Sequence, residues 1–192
     1  MEPFRLFYAF LNKFNVLTES EFEKMIVPFI QLRQFNKKEM VTRAGEVEQY
    51  FNFINSGLVR KYFKKDTQEI ITQISLEGQI IHSQESFHSQ TPSEYFIETI
   101  EPSTLLSINY ADLNTIFSTS AAMERMGRLI VTFVMVLNDR WQMSLLKFSP
   151  RERFLSFVQQ NPQLMQRTPQ KFLASLLNIQ PETFSRFKHL VR

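Results

Sequence analysis

The chain has 192 residues, 43% of them hydrophobic, and a formal net charge of +3, so it is long enough for one good core or two small ones. It contains no cysteine, which excludes disulfides, thiolate zinc sites and cysteine-ligated iron–sulfur clusters and fits a reducing, cytoplasmic setting. No membrane partner is expected: the longest apolar segment, near 129–137, is broken by Thr132, and the start Met1-Glu2-Pro3-Phe4-Arg5 does not read as a signal peptide.

Residues 4–31 show helical spacing. Phe7, Phe10, Leu11 and Phe14 share one face, and Phe22, Met25, Ile26 and Phe29 another, with the cap-like run Thr18-Glu19-Ser20-Glu21 between them. Two short helices are expected. From Leu32 to Ile108 the pattern changes to short alternating or β-branched runs at 39–42, 50–55, 58–63, 69–76, 95–100 and 104–108. Turn signals such as Ala44-Gly45-Glu46, Asn55-Ser56-Gly57 and Glu77-Gly78 separate them, which indicates a compact antiparallel β domain.

A short helix follows Asn109-Tyr110, and a long one runs from about Thr119 to Lys147. Its apolar positions, Met123, Met126, Ile130, Phe133, Leu137, Trp141, Leu145 and Phe148, form a narrow stripe close to a coiled-coil seam. Such a stripe needs a partner: either the β domain of the same chain or the matching helix of a second copy. Met126, Ile130, Phe133, Leu137 and Trp141 are the candidate dimer residues.

The segment 149–192 has a different charge. Between Lys147 and Arg192 there are 8 Lys and Arg against 2 acids, a net of +6, whereas the remainder carries 14 against 17. Dispersed basic residues of this kind suit a folded face for a polyanion. Within the segment, an amphipathic run to Leu177, a turn able to place Asn178 in a left-handed conformation, and a second run opened by Gln180-Pro181-Glu182 spell a helix-turn-helix. Phe172, Leu173, Leu176, Leu177, Ile179, Phe184 and Phe187 would form its seam. By periodicity alone, an ordinary helical hairpin with solvated charges fits equally.

In this order, helix pair, β-roll, long helix and C-terminal helix-turn-helix, the chain resembles the Crp/Fnr family of transcription regulators. The most specific residues are Gly45 and Gly57 at the roll turns, Ser149-Pro150-Arg151-Glu152-Arg153, and Glu182-Thr183-Phe184-Ser185-Arg186, which resembles a Glu-x-x-Ser-Arg recognition pattern. The resemblance implies an α+β fold: an antiparallel, cyclic-nucleotide-binding-like sensor domain over 1–118, a long dimerisation helix over 119–148, and a helical DNA-binding domain over 149–192. It further implies a homodimer on double-stranded DNA, with RNA polymerase as a further partner. Glu182, Ser185 and Arg186 would read base edges, and Lys171, Lys188 and Arg192 would attract phosphates.

Two departures qualify the expectation. The sequence stops at Arg192, about one turn after Arg186, so the family's β-hairpin wing is not expected. The stretch Gly78-Gln79-Ile80-Ile81-His82-Ser83 has His82 and Ser83 where the family's nucleotide cassette has a glycine and a ribose-binding glutamate, and no Lys or Arg occurs from Asp66 to Glu124. A buried phosphate wants an arginine or several amide donors, so cyclic AMP and cyclic GMP are not expected to bind. The polar segment His82, Ser83, Gln84, Glu85, Ser86, Thr91 and Ser93 would instead line a pocket for an unidentified effector, or form a solvated loop. No metal or other cofactor is expected, since a His-x5-His spacing at 82 and 88 is not a metal motif. Only four glycines, with no glycine-rich phosphate loop and no outstanding Ser-His-acid spacing, argue against an enzyme. The rival reading is a signalling or scaffold module that does not bind DNA.

Overall fold

The structure, a computed structural model, describes residues 2–189. A 3-10 turn leads into α1 (Arg5–Leu11), and α2 (Glu19–Met25) follows a capping box in which the Glu21 amide donates to the Thr18 hydroxyl and the Thr18 amide to the Glu21 carboxylate. Both expected N-terminal helices are present. Seven strands come next: β1 (Gln31–Phe35), β2 (Met40–Thr42), β3 (Tyr50–Ser56), β4 (Val59–Lys65) and β5 (Gln68–Ser75), then, after α3 (Gln84–Ser89), β6 (Phe96–Thr99) and β7 (Ser103–Asn109). All pairings are antiparallel. One sheet has the order β1-β7-β3 and the other β2-β6-β4-β5, which makes the expected roll.

Between the sheets, Ile54, Val59, Ile81, Ile97 and Leu105 form a small interior cluster. Strand alternation turns the neighbours of these residues outward, so each sheet has a second apolar face. Phe51, Phe53, Leu106 and Ile108 meet α1, α4 (Tyr110–Ser118) and the start of α5 (Ala121–Lys147) in the largest core. Leu58, Tyr62, Ile71 and Ile74 meet the C-terminal helices. The turn at Gly57 needs glycine: its φ is +100°, and a Cβ there would lie 2.6 Å from the Pro102 carbonyl oxygen.

Two elements were not expected from sequence. β1 is an edge strand whose residues, Gln31-Leu32-Arg33-Gln34-Phe35, show no apolar alternation, since Leu32 faces water and Arg33 turns inward. Residues 84–89 form a helix rather than a loop, with Phe87 buried as its anchor.

The C-terminal helices are α6 (Pro150–Gln160), opened by a Ser149–Glu152 capping box, α7 (Pro162–Arg167), α8 (Gln170–Leu176) and α9 (Pro181–Lys188). They do not make a core of their own. Phe154, Phe157, Leu173, Leu177 and Phe184 share one apolar cluster with the outer face of the β2-β6-β4-β5 sheet. Polar contacts fix the docking. The Ile71 amide donates to the Ser175 hydroxyl at 2.9 Å, and Arg167 bridges Glu77 at 2.8 Å and Glu101 at 2.7 Å.

The Arg167 bonds hold the Glu77 carboxyl at a pKa of about 2, below its ordinary 4.5. A carboxyl depressed in the fold contributes stability that is complete above the unfolded pKa and disappears as pH falls through the folded one. In a double-mutant cycle of Arg167→Ala and Glu77→Gln, thermal unfolding at pH 7 should give a coupling of about 1–2 kcal/mol, at the low end for charge-assisted bonds because both side chains are partly exposed. That coupling should decline between pH 4.5 and pH 2. A coupling independent of pH across this window would show that the bridge does not hold the helices on the roll.

Candidate functional site

The interior of the roll, where the expected effector segment lies, is occupied by the chain's own polar groups. The segment 78–81 runs along β3, with the Ile54 amide donating to the Gln79 carbonyl and the Ile81 amide to the Asn52 carbonyl, both at 2.9 Å. This leaves both His82 and Ser83 buried, at 4% and 1% exposure. Ser93 donates to the Ser83 hydroxyl at 2.8 Å, and the Ser86 hydroxyl accepts from the Glu48 amide at 2.9 Å. At the centre is Glu48, 2% exposed, whose carboxylate accepts from Thr42 at 2.8 Å, from the Tyr50 amide at 3.1 Å and from the Ser83 amide at 3.4 Å.

Sequence reasoning missed Glu48 and the two cations that complete its surroundings. Both lie outside the stretch without Lys or Arg that suggested an uncharged interior. Lys61 on β4 donates to the His82 carbonyl at 3.4 Å, and burial pushes its ammonium down to about 8, opposed by Glu48. Arg33 on β1 places its guanidinium 4.3 Å from the Tyr50 ring centre. Burial lowers its pKa, opposed by Tyr50 and Glu48. Burial likewise raises the Glu48 carboxyl, opposed by its three hydrogen bonds and by Arg33. A strand-period reading of 39–65 would have put Lys61 on the inner face; nothing in the sequence marks Glu48.

The expected pocket residues therefore separate into three groups. Ser83, Ser86 and Ser93 belong to the Glu48 network. His82 and Gln84 face a different space, a cavity of about 420 Å³ between the roll, α4 and α5. Glu85 and Thr91 are exposed and line neither, because α3 turns its 85 position outward and Thr91 follows the helix end. No group of three or more metal-ligating side chains occurs among the described residues.

The long helix divides in two. Met123, Met126 and Ile130 are buried in the chain's own largest core, at 2%, 2% and 6% exposure. Met126 and Ile130, expected in an intersubunit seam, are thus corrected to intrachain packing: α4 and the roll cover this end of the helix first. Trp141 packs against the C-terminal cluster. Phe133 and Leu137 remain 41% and 45% exposed, alongside Val136, Met143 and Leu146, although Phe133 also meets Phe14 edge to face at 5.4 Å.

In the C-terminal helix pair, Asn178 has φ +51°, the left-handed conformation expected at the turn. Phe184 is fully buried, edge to face with Phe154 at 5.1 Å. Around this anchor the helical period turns Glu182, Ser185 and Arg186 outward to one exposed face; Lys171 is exposed and Lys188 half-buried nearby in sequence on the same pair. The basic surface is smaller than the sequence count implied. Arg153 is 8% exposed, and Arg167 is bound to two carboxylates. Arg192 lies outside the described residues.

Residues 32–120 match the cyclic nucleotide-binding domain family. No curated protein matches the chain by sequence. Among solved structures, FixK2 from Bradyrhizobium japonicum is similar at a TM-score of 0.74 and 16% identity, with 84% of each chain covered. The c-di-GMP-responsive global regulator CLP from Xanthomonas campestris is similar at 0.65 and 15%, covering 90% of this chain and 91% of CLP. The sensor domain of the transcriptional regulator DNR from Pseudomonas aeruginosa is similar at 0.56 and 18%, covering 71% of this chain and 89% of the domain. The roll is therefore a cyclic nucleotide-binding-type domain, and over most of its length the chain shares the fold of FixK2 and CLP.

The roll interior already holds the buried Glu48 carboxyl, and Ser83 stands where the resemblance to a nucleotide cassette would place an acid. Isothermal calorimetry with cyclic AMP or cyclic GMP should accordingly give no saturable heat at micromolar nucleotide. Stoichiometric binding of either would mean that Glu48 leaves its network readily.

Proposed function

We propose that the chain is a DNA-binding transcription regulator whose roll responds to something other than cyclic AMP. The observation that carries this reading is the exposed Glu182–Ser185–Arg186 face of α9, backed by a fully buried Phe184 and set one left-handed turn after α8. Those three side chains suit base edges: arginine offers two donors to guanine O6 and N7, glutamate accepts from cytosine N4, and serine bonds either. Lys171, Lys188 and the exposed Arg151 supply sequence-independent attraction to phosphates. The fold is one in which DNR is a transcriptional regulator and CLP a regulator of virulence gene expression.

Two copies would pair through the half of α5 that its own chain leaves uncovered, at Phe133, Val136, Leu137 and Met143. The helix is about 40 Å long, so paired helices can hold two α9 elements at half-sites one DNA turn apart. An effector acting at the roll would shift the packing of α5 and hence the aim of α9. RNA polymerase is the further partner such a regulator would meet.

Leu137→Glu should convert the dimer to monomer, since it puts an unpaired charge into an apolar seam without touching the intrachain core. Sedimentation at tens of micromolar checks this, and a wild-type protein that sediments as a monomer would defeat the pairing. Arg186→Ala should lose about 1–3 kcal/mol of DNA affinity and relax preference at one base pair, while Lys171→Ala should weaken all duplexes alike and reduce the salt slope by about one. Selection of bound duplexes from a random library, at stated salt, reads both. If a folded, dimeric Arg186→Ala keeps its affinity and preference, the helix pair is not a base reader and a protein-binding scaffold becomes the better account.

A further inference from the structure

The cavity of about 420 Å³ between α5, α4 and the roll is not the space in which the roll holds its buried charges. Its walls are apolar, with Phe51, Ile116, Phe117, Ile130 and Val134 among them. One end is polar, formed by His82, His88, Gln84 and Asn138. His82 is 4% exposed, and both its ring nitrogens lack a hydrogen-bond partner among the described residues. An unpaired buried polar group costs about 1–3 kcal/mol. A chain that needed only packing here would be better served by leucine.

The site is also held open. Gly127 on α5 lets the Phe117 ring lie against the helix backbone, where a Cβ would come within 2.7 Å of the ring. Any larger residue at 127 would push Phe117 off the helix, and that ring is part of the cavity wall. At the polar end, Asn138 on α5 donates to the Gln84 side chain on α3 at 3.1 Å, so the two elements that flank His82 are tied together.

We propose that this cavity binds an uncharged, largely apolar small molecule whose hydroxyl or N–H group hydrogen-bonds to His82. The chemistry follows from the lining. No lysine or arginine lines the cavity, and its one acid is Asp139, so the lining offers an anion no direct ion pair. Burial, Lys61 and His88 keep the imidazole neutral, with a pKa pushed down to about 3, so near pH 7 it offers one donor and one acceptor. Size follows from volume: a cavity of about 150 Å³ takes benzene, so this one suits roughly 15 non-hydrogen atoms. The proposal concerns ligand binding alone and is tested without DNA, so it stands or falls separately from the reading of α9.

The probe is N-phenyl-1-naphthylamine, a neutral aryl amine whose fluorescence rises in apolar surroundings, titrated into the full chain at pH 7. The expected result is a saturable rise with one probe per chain. The N–H amine should be preferred about fivefold over its N-methylated counterpart, the worth of one hydrogen bond, and the anionic anilinonaphthalene sulfonate should bind more weakly than either. In His82→Leu, which keeps the volume and removes the unpaired nitrogens, the preference for the N–H amine should vanish while the protein melts no lower than wild type. Val131→Trp, at a cavity-lining position that is 48% exposed and so tolerant of a larger side chain, should reduce binding of all three probes. Absence of saturable binding by the wild type, or unaltered binding by Val131→Trp, would overturn the site. An N–H preference that survives in His82→Leu, or tighter binding of the sulfonate, would overturn the assigned chemistry.

Discussion

The guanidinium of Arg153 is the point on which the C-terminal half turns. It donates to the carbonyls of Leu145 and Phe148 at the end of α5, at 3.2 and 2.7 Å, and to those of Leu177 and Asn178 after α8, at 3.2 and 3.4 Å. Helix ends leave carbonyls without intrahelical partners, and burying them unsatisfied would cost as much as the packing returns. One planar group with five donors resolves both ends at once. It also makes the geometry of α9 depend on that of α5, because the turn that launches α9 and the last turn of α5 bond to the same side chain. The exposed Glu182–Ser185–Arg186 face is thus tied to the end of the long helix by direct hydrogen bonds.

A second arginine links the same helices to the roll. Arg60 projects from the outer face of its sheet, bonds Glu69 at 2.6 Å and Glu98 at 2.7 Å, and lies between the rings of Tyr62 and Phe172 at 4.2 and 4.1 Å. Phe172 belongs to α8, so the guanidinium is covered only when the C-terminal helices are docked. With Arg167 on Glu77 and Glu101, this makes the interface one of few but strongly directional bonds over an apolar base. Directional interfaces have discrete arrangements, which is the property a two-state regulator uses.

Between the sheets the roll uses its interior differently from a phosphate-binding one. A buried carboxyl, Glu48, sits among amide and hydroxyl donors, with Lys61 and Arg33 within Coulombic reach. The charge balance is internal, so the fold needs no ligand phosphate to satisfy it. A cavity lies between the roll, α4 and α5, where apolar walls and the unpaired His82 imidazole face each other.

Much of this was legible in the sequence because it rests on local patterns. Period-two or β-branched runs marked six of the seven strands, the cap-like run Thr18 to Glu21 marked α2, and the Asn178 turn and the Phe184 anchor followed from spacing and turn chemistry. What tertiary structure decided is which side chains meet. Arg153 and Arg167 add to a basic stretch when counted along the chain, yet one caps buried carbonyls and the other binds carboxylates 66 and 90 residues away. Met126 and Ile130 belong to the same stripe as Leu137, but only the first two are covered by α4, a difference that periodicity cannot express. Glu48 and His82 became central because the segment after Gly78 returns along β3, and that return is a long-range pairing which no local spacing records.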